Sequence, residues 1–273
     1  MQIAQALADA QARGVPRLDA QLLLSHLLDR PRAWLLAHDD AKLTLEQSAT
    51  LATWIARRRQ DEPLAYIVGE CEFRGLALHV SPAVLVPRPE TELLVEWALE
   101  CLVSAPEGSV VDLGTGSGAI ALALKHARPQ MHVCASDVSP AALDVARSNG
   151  RRHDLEIEWQ LGDWWAPLTG RRFALTVSNP PYVAGADPHL AALAHEPRAA
   201  LTPEGDGLAA LRRIAVDAPL HLLPGAWLLL EHGHDQGPAV CGLLSAAGFA
   251  NPQTRPDLAG LPRCSGAVWQ TAN

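Results

Sequence analysis

From Val110 onward the chain repeats one pattern: a short apolar run, a tight turn, then a helix. That repetition constrains the fold more than any other feature. Val110-Val111-Asp112-Leu113 reads as a short buried strand and Ala119 to Ala127 as a helix. His132 to Asp137 is the next strand, and Pro140 to Asn149 the next helix. Ile157 to Leu161, Ala174 to Ser178 and Trp227 to Glu231 are further strands, with helices over Leu208 to Val216 and Ala239 to Ala247. Strands that alternate with helices imply a parallel, doubly wound α/β sheet. In such sheets ligands bind beyond the carboxyl ends of the strands. The polar motifs of this chain fall at those ends.

The chain ahead of that repeat has a different period. Roughly the first 65 residues read as helices, with Leu18, Leu22, Leu23 and Leu27 at helical spacing and a break at Pro31. Thr44 with Gln47 gives a capping-box signature ahead of Leu51, Trp54 and Ile55. This is a small helical bundle, with a surface for docking a protein partner as the alternative reading. Phe73, Leu76, Leu78 and Val80 then roughly alternate around Arg74-Gly75, as in a β-hairpin. Arg88-Pro89-Glu90-Thr91-Glu92 opens a helix with Leu93, Leu94 and Trp97 on its apolar face. The expected division is a helical domain over 1–72, a hairpin linker over 73–86 and an α/β domain over 87–273.

Charge and cysteines narrow the function classes. The formal charge is 22 − 30 = −8, which argues weakly against a nucleic-acid substrate, since such binding rests on neutralising phosphates. Arg57-Arg58-Arg59 is the one tight basic run and reads as a solvated helix face. Cys71, Cys101, Cys134, Cys241 and Cys264 show no Cys-x-x-Cys spacing, so neither a disulfide framework nor a zinc site is expected. They suit a reducing cytoplasm. No leader is evident at Met1-Gln2-Ile3-Ala4-Gln5, and no stretch reaches the roughly 18 apolar residues of a membrane span. A cytoplasmic protein with no membrane association follows as the expectation.

Gly114-Thr115-Gly116-Ser117-Gly118 follows a strand and opens a helix, so the backbone there turns tightly and approaches a ligand closely. Alone, it also fits a dinucleotide fingerprint through Gly114, Gly116 and Ala119. Asp112, two residues earlier, is expected to turn an acid toward the ligand, which suits a cation better than a pyrophosphate. Asp137 ends the second strand and reads either as an acceptor for ribose hydroxyls or as a helix cap beside Ser139. This stretch resembles class I S-adenosylmethionine-dependent methyltransferases. Asp163-Trp164 fits that family's adenine-side loop, and packing in the core is the other reading for Trp164 and Trp165.

Ser178-Asn179-Pro180-Pro181-Tyr182 is the most specific signal. Two prolines stiffen the loop, which holds an acceptor at attack distance. An amide nitrogen is a poor nucleophile, because its lone pair is delocalised into the carbonyl. It offers two N–H donors. The Asn179 side-chain oxygen and the Pro180 carbonyl are suited to accept both, and Tyr182 to lie over the acceptor plane. A carboxylate has no hydrogens to give and is rejected. The motif marks amino-group methyltransferases acting on glutamine amides or on the exocyclic amines of adenine and cytosine.

The chain as a whole is similar to the HemK/PrmC-type methyltransferases, which modify the glutamine of the Gly-Gly-Gln motif of peptide chain release factors. The likeness is carried by Leu18-Asp19-Ala20, Glu62 to Ile67, Val86 to Glu92, Asp112 to Gly118, Asn179 to Tyr182, Glu196-Pro197-Arg198, Gly205 to Leu208, Leu230 to Gly233 and Asp257 to Gly260. It departs at Ala174 and at Pro203-Glu204. The resemblance implies a Rossmann-like, mostly parallel seven-stranded sheet and S-adenosyl-L-methionine as cofactor. It implies Gly114, Thr115, Gly116, Ser117, Gly118, Asp137, Trp164 and Asn179 as cofactor contacts. It implies Asn179, Pro180, Pro181 and Tyr182 as the substrate slot, no metal, class I release factors as partners, and a monomer. Arg88 and Glu90 read equally as helix capping and as contacts to the cofactor's methionine end. The rival readings are a glutamine methyltransferase of a ribosomal protein, an adenine-amino DNA or RNA methyltransferase, an NAD-type oxidoreductase and a non-enzymatic nucleotide-binding module.

Overall fold

A computed structural model of the chain describes residues 1–104 and 108–270. Positions 105–107 and 271–273, inside the α/β domain expected over 87–273, lie outside the described residues. The chain divides into two units, Met1–Glu70 and Cys71–Asn273.

The first unit is α1 (Ile3–Ala12), α2 (Arg17–Leu28), α3 (Arg32–Ala37), α4 (Leu45–Arg58) and α5 (Leu64–Val68). The capping box at the start of α4 is formed: Gln47 N donates to the Thr44 hydroxyl at 3.0 Å, and Thr44 N donates to Gln47 Oε1 at 2.9 Å. Leu51 and Ile55 then point into a core with Ile3, Leu7, Leu24 and Leu35. Helix α2 departs from the expected face. Leu18 is 49% and Leu22 40% exposed, while Ala20, Leu23 and Leu24 are buried with Leu27 packed beside them. That helix carries six leucines, more than one face holds, so leucine spacing alone selects the wrong stripe. The basic run is not a free solvated face either: Arg58 pairs with Asp19 at 2.7 Å and Arg57 with Glu62 at 2.6 Å.

The hairpin expected as a linker is β1 (Glu70–Phe73) and β2 (Leu76–His79), joined by Arg74 and Gly75, both at positive φ, as a two-residue hairpin turn requires. Phe73, Leu76 and Leu78 are buried in the core of the second unit, so the hairpin is part of that unit. A 3-10 turn at Pro89–Thr91 then leads into α6 (Glu92–Cys101).

The sheet is built from β3 (Val110–Leu113), α7 (Ala119–Ala127), β4 (Val133–Asp137), α8 (Pro140–Arg152), β5 (Glu158–Leu161), β6 (Phe173–Ser178), α9 (Arg198–Leu201), α10 (Ala209–Asp217), β7 (Leu222–Glu231), α11 (Gly237–Ala246), β8 (Ala250–Pro256) and β9 (Pro262–Val268). The strand order is β5-β4-β3-β6-β7-β9-β8. The first five are parallel, and β9 runs antiparallel to both β7 and β8. The doubly wound, mostly parallel seven-stranded sheet is therefore as expected, although the β8–β9 pair has no counterpart in the strand pattern. Side chains alternate between faces. Val110, Val177 and Leu229 meet Leu94, Trp97 and Leu122 on one side. Val111, Leu113 and Leu228 meet Leu211, Ile214 and Leu244 on the other. Chain order departs from β3 in opposite directions, to β4 and β5 on one side and to β6 and β7 on the other, so a crevice opens at the carboxyl ends of β3 and β6.

Candidate active site

The register of the sheet brings the two main motifs together. Leu113 lies opposite Ser136 on one side and Ser178 on the other, so the turns leaving β3, β4 and β6 start side by side. The Ser178 hydroxyl donates to Leu113 O at 2.6 Å and ties β6 to β3 at that point. Beyond these ends lies a cavity of about 250 Å³. Of the residues expected at the site, Gly114, Thr115, Gly116, Ser117, Asp137, Trp164, Asn179 and Pro181 line it. Gly118, Pro180 and Tyr182 do not.

The glycine turn is shaped by its neighbours. Gly114 has φ +74°, and a Cβ there would stand 3.0 Å from Trp164 Cζ3, so the loop lies against the indole. Gly118 has φ +85°, and a Cβ there would stand 3.1 Å from both Leu122 and Trp159. It closes the turn onto helix packing instead of facing the cavity. Asp137 ties the glycine turn to the start of α8. Its Oδ2 accepts from Gly116 N at 2.9 Å and its Oδ1 from Ser139 N at 2.8 Å, while the Ser139 hydroxyl caps α8 through Ala142 N. Burial pushes the Asp137 carboxyl above its ordinary range.

Asp112 corrects the sequence expectation. It is fully buried and accepts from the Thr115 hydroxyl at 2.6 Å, with Oδ1 unpartnered among the described residues. All four residues of β3 are buried, so the acid sits beneath the loop and off the cavity wall. Burial raises its pKa to about 7. The tryptophan pair divides its roles. Trp164 lines the cavity, and Trp165 is a core residue whose indole N–H donates to Ile214 O at 3.1 Å and whose ring stacks on His221.

In the Asn-Pro-Pro-Tyr loop, Asn179 Nδ2 donates to the Thr91 hydroxyl oxygen at 3.2 Å. Pro180 is buried. The Tyr182 ring packs against the core on the α10 and α11 side of the sheet, not over the cavity. Its hydroxyl donates to Glu231 Oε1 at 3.2 Å, and its backbone carbonyl accepts from Gln236 Nε2 at 3.0 Å. Burial, then the charge of Glu231, pushes the phenol's pKa up. Glu231 ends β7 and is 1% exposed. Burial raises its pKa to about 7, against the opposing pull of hydrogen bonding from the Thr91 and Tyr182 hydroxyls and of the Arg263 charge.

Three residues of the site carried no assigned role in the sequence: Thr91, Glu231 and Glu196. Thr91 lines the cavity yet reads as part of a helix start. Glu196 is buried and accepts from Val86 N at 3.2 Å and from the Arg88 guanidinium. The legible signal was Glu231, an acid closing an apolar strand at the carboxyl edge, the same pattern as Asp137.

No helix among the described residues is long and apolar enough to cross a membrane, and among them no group of three His, Cys, Asp or Glu could hold a metal ion. A glycine turn packed against an acid-ended second strand, at the switch point of this mixed seven-stranded sheet, defines a class I methyltransferase. Residues 1–69 match the PrmC N-terminal domain and residues 90–213 the methyltransferase small domain. The chain belongs to the release factor glutamine methyltransferase family. The family member of Bordetella pertussis is 49% identical over 93% of this chain and 95% of its own length. That of Xylella fastidiosa is 49% identical over 93% of each. Among solved structures, a methyltransferase from Pyrococcus furiosus shares the fold, with a TM-score of 0.55 at 17% identity over 81% of this chain and all of that one. Methyltransferases of this class use S-adenosyl-L-methionine.

Proposed function

We propose that the chain transfers a methyl group from S-adenosyl-L-methionine to the side-chain amide nitrogen of the glutamine in the Gly-Gly-Gln motif of class I peptide chain release factors. The supporting observation is Asn179. It stands on the cavity wall beside the glycine turn, on a proline-stiffened loop, with its amide nitrogen already bonded to Thr91. Its oxygen is left to accept from an incoming –NH₂.

The wall suits the methyl donor. Trp164, Val138 and Ala142 offer an apolar slot for adenine, and Asp137 has lone pairs left for ribose hydroxyls. When bound, S-adenosyl-L-methionine supplies an electrophilic methyl group on a sulphonium. Asn179 Oδ1 accepts one amide hydrogen, and the second requires the Pro180 carbonyl, which lies behind the wall, to be reached from the slot; gripping both favours a nitrogen pyramidalised for attack. Pro181 closes the slot, and Tyr182, fixed through Glu231 and Gln236, holds the loop. No base is needed before attack, because the methylated amide sheds its proton to solvent.

The helical unit, with Leu18, Leu22, Leu36 and Leu45 exposed, is the proposed docking surface for the release factor. The five free cysteines suit a cytoplasmic setting. We take the chain to act as a monomer of 29.2 kDa, which sedimentation checks. The deciding experiment incubates the protein with labelled cofactor and, separately, a release factor, ribosomal proteins, DNA and RNA. Mass spectrometry should find one added methyl on the Gly-Gly-Gln glutamine. Label on DNA, RNA or a ribosomal protein, with none on the release factor, would overturn the assignment.

A further inference from the structure

We infer that Asn149, which lies outside the cavity, is a positioning residue for the cofactor: its amide clamps the glycine turn to the end of β2 and so fixes the spacing of two walls of the S-adenosyl-L-methionine site. The inference concerns the methyl donor and holds whichever acceptor is methylated.

Asn149 sits in the last turn of α8 and is fully buried. A buried side-chain amide is costly unless its hydrogen-bonding groups are met. Three backbone groups meet them here. The Nδ2 hydrogens go to Ser117 O at 2.9 Å and His79 O at 3.0 Å, and Oδ1 accepts from His79 N at 2.7 Å. Exchanging oxygen and nitrogen would set a lone pair against two carbonyls, so the amide has one orientation. Toward His79 it acts as a neighbouring strand would, giving one hydrogen bond and taking one. His153 continues the seam, its Nε2 donating to Ala77 O at 2.8 Å. Residues four apart on a helix rise about 6 Å and residues two apart on a strand about 6.6 Å, so Asn149 and His153 match His79 and Ala77.

What lies on either side of Asn149 gives these bonds their consequence. Ser117 belongs to the glycine turn and lines the cavity. Its neighbour Gly116 donates to Asp137 Oδ2 at 2.9 Å, so the peptide between Gly116 and Ser117 is held from both sides. Beyond His79 the chain becomes a second wall of the cavity, at Ala83, Val84, Leu85, Pro87 and Arg88. A side chain that joins both walls from outside sets their separation, and affinity follows the preorganisation of the pocket. Asn179 stands at the end of a different strand, β6, so the acceptor side of the site is left in place.

A residue that only braces the hairpin predicts a different pattern. The test uses the full-length protein with Asn149→Leu, Asn149→Asp and His153→Ala. Each is measured for S-adenosyl-L-methionine Kd by calorimetry, under conditions where circular dichroism shows it folded, and for stability by urea unfolding. Asn149→Leu keeps the volume and strands the three backbone groups; it should raise the cofactor Kd about tenfold. KM for a release factor should move by less than about threefold. His153→Ala loosens the hairpin without touching the glycine turn, so it should lower stability and keep the cofactor Kd within about twofold. Asn149→Asp sets a carboxylate against two carbonyls and should weaken binding as Asn149→Leu does. A carboxyl so placed takes up a proton well above its ordinary pH, and the protonated form donates one bond again. Its Kd relative to wild type at the same pH should therefore recover by about threefold or more as pH falls from about 8 to about 5.5. A purely structural role moves the unfolding curve with pH and leaves that ratio flat.

Wild-type Kd in folded Asn149→Leu overturns the clamp, as does an equal rise in His153→Ala or a flat ratio in Asn149→Asp. If Asn149→Leu does not fold, the pH dependence of Asn149→Asp decides. A wild-type protein that binds no S-adenosyl-L-methionine overturns the cofactor assignment itself.

Discussion

Replacing Glu231 by glutamine should reveal how much stability the chain gives up to bury an ionisable acid behind its catalytic loop. Glu231 is 1% exposed, and burial lifts its pKa from the ordinary 4.5 to about 7. A carboxyl whose folded pKa is raised holds its proton longer when folded than when unfolded. Its stabilising contribution is therefore complete below pH 4.5 and is lost as pH rises to about 7. A gap of about 2.5, at about 1.4 kcal/mol per pH unit, makes the loss at most on the order of 3 kcal/mol. Glutamine does not titrate. Stability of Glu231→Gln minus that of wild type should thus climb by up to about 3 kcal/mol between pH 4.5 and pH 8. Only the slope is predicted, because the offset depends on how the new amide bonds to Thr91 and Tyr182. Other titrating groups cancel in the difference. The assay is urea unfolding of both proteins across that range, followed by circular dichroism. A flat difference would falsify the reasoning, since folding would then be blind to this proton. A falling difference would mean that Arg263 outweighs desolvation.

Three further substitutions probe other parts of the chain. Asn179→Ala should lower turnover by about 10²- to 10³-fold, as removing one group of a preorganised polar site does, while calorimetry still detects cofactor binding. Gly114→Ala places a Cβ 3.0 Å from the Trp164 ring at φ +74°; at about 1–2 kcal/mol for that backbone, cofactor affinity should fall roughly tenfold by calorimetry. Thr44→Ala removes the hydroxyl that accepts from Gln47 N, and should cost about 1 kcal/mol in urea unfolding with no change in cofactor affinity.

The parts of the fold that were legible are those written locally. Each parallel strand is a short apolar run that stops at a turn residue, and the helix after it has a capping signal or an apolar stripe, so α7 falls at Ala119–Ala127 in both readings. The β8–β9 pair was not legible. Ala-Asn-Pro-Gln-Thr-Arg-Pro has prolines and no apolar alternation, which suits a sheet edge and erases the strand signal. In α2 the small Ala20 marked the buried side better than the leucines did. At the site, the glycine turn and the Asn-Pro-Pro-Tyr loop declared themselves as contiguous motifs. Asp112 misled because its position at a strand end says nothing about which side of the loop its carboxylate takes. Thr91 stayed hidden because it is separated from Asn179 by 88 positions, and only the packing of the turn before α6 against the loop after β6 makes them neighbours.

Stiffness and polarity are separate requirements of this loop, and different residues meet them. Two prolines and the Ser178 bond to Leu113 fix where Asn179 stands. They leave its amide free to rotate, because carbonyl and amino ends fill the same space. Hydrophobic packing cannot remove that degeneracy, and a neutral hydrogen-bond partner removes it only halfway. The Thr91 hydroxyl takes Nδ2 at 3.2 Å, which leaves Oδ1 as the end available to an incoming N–H.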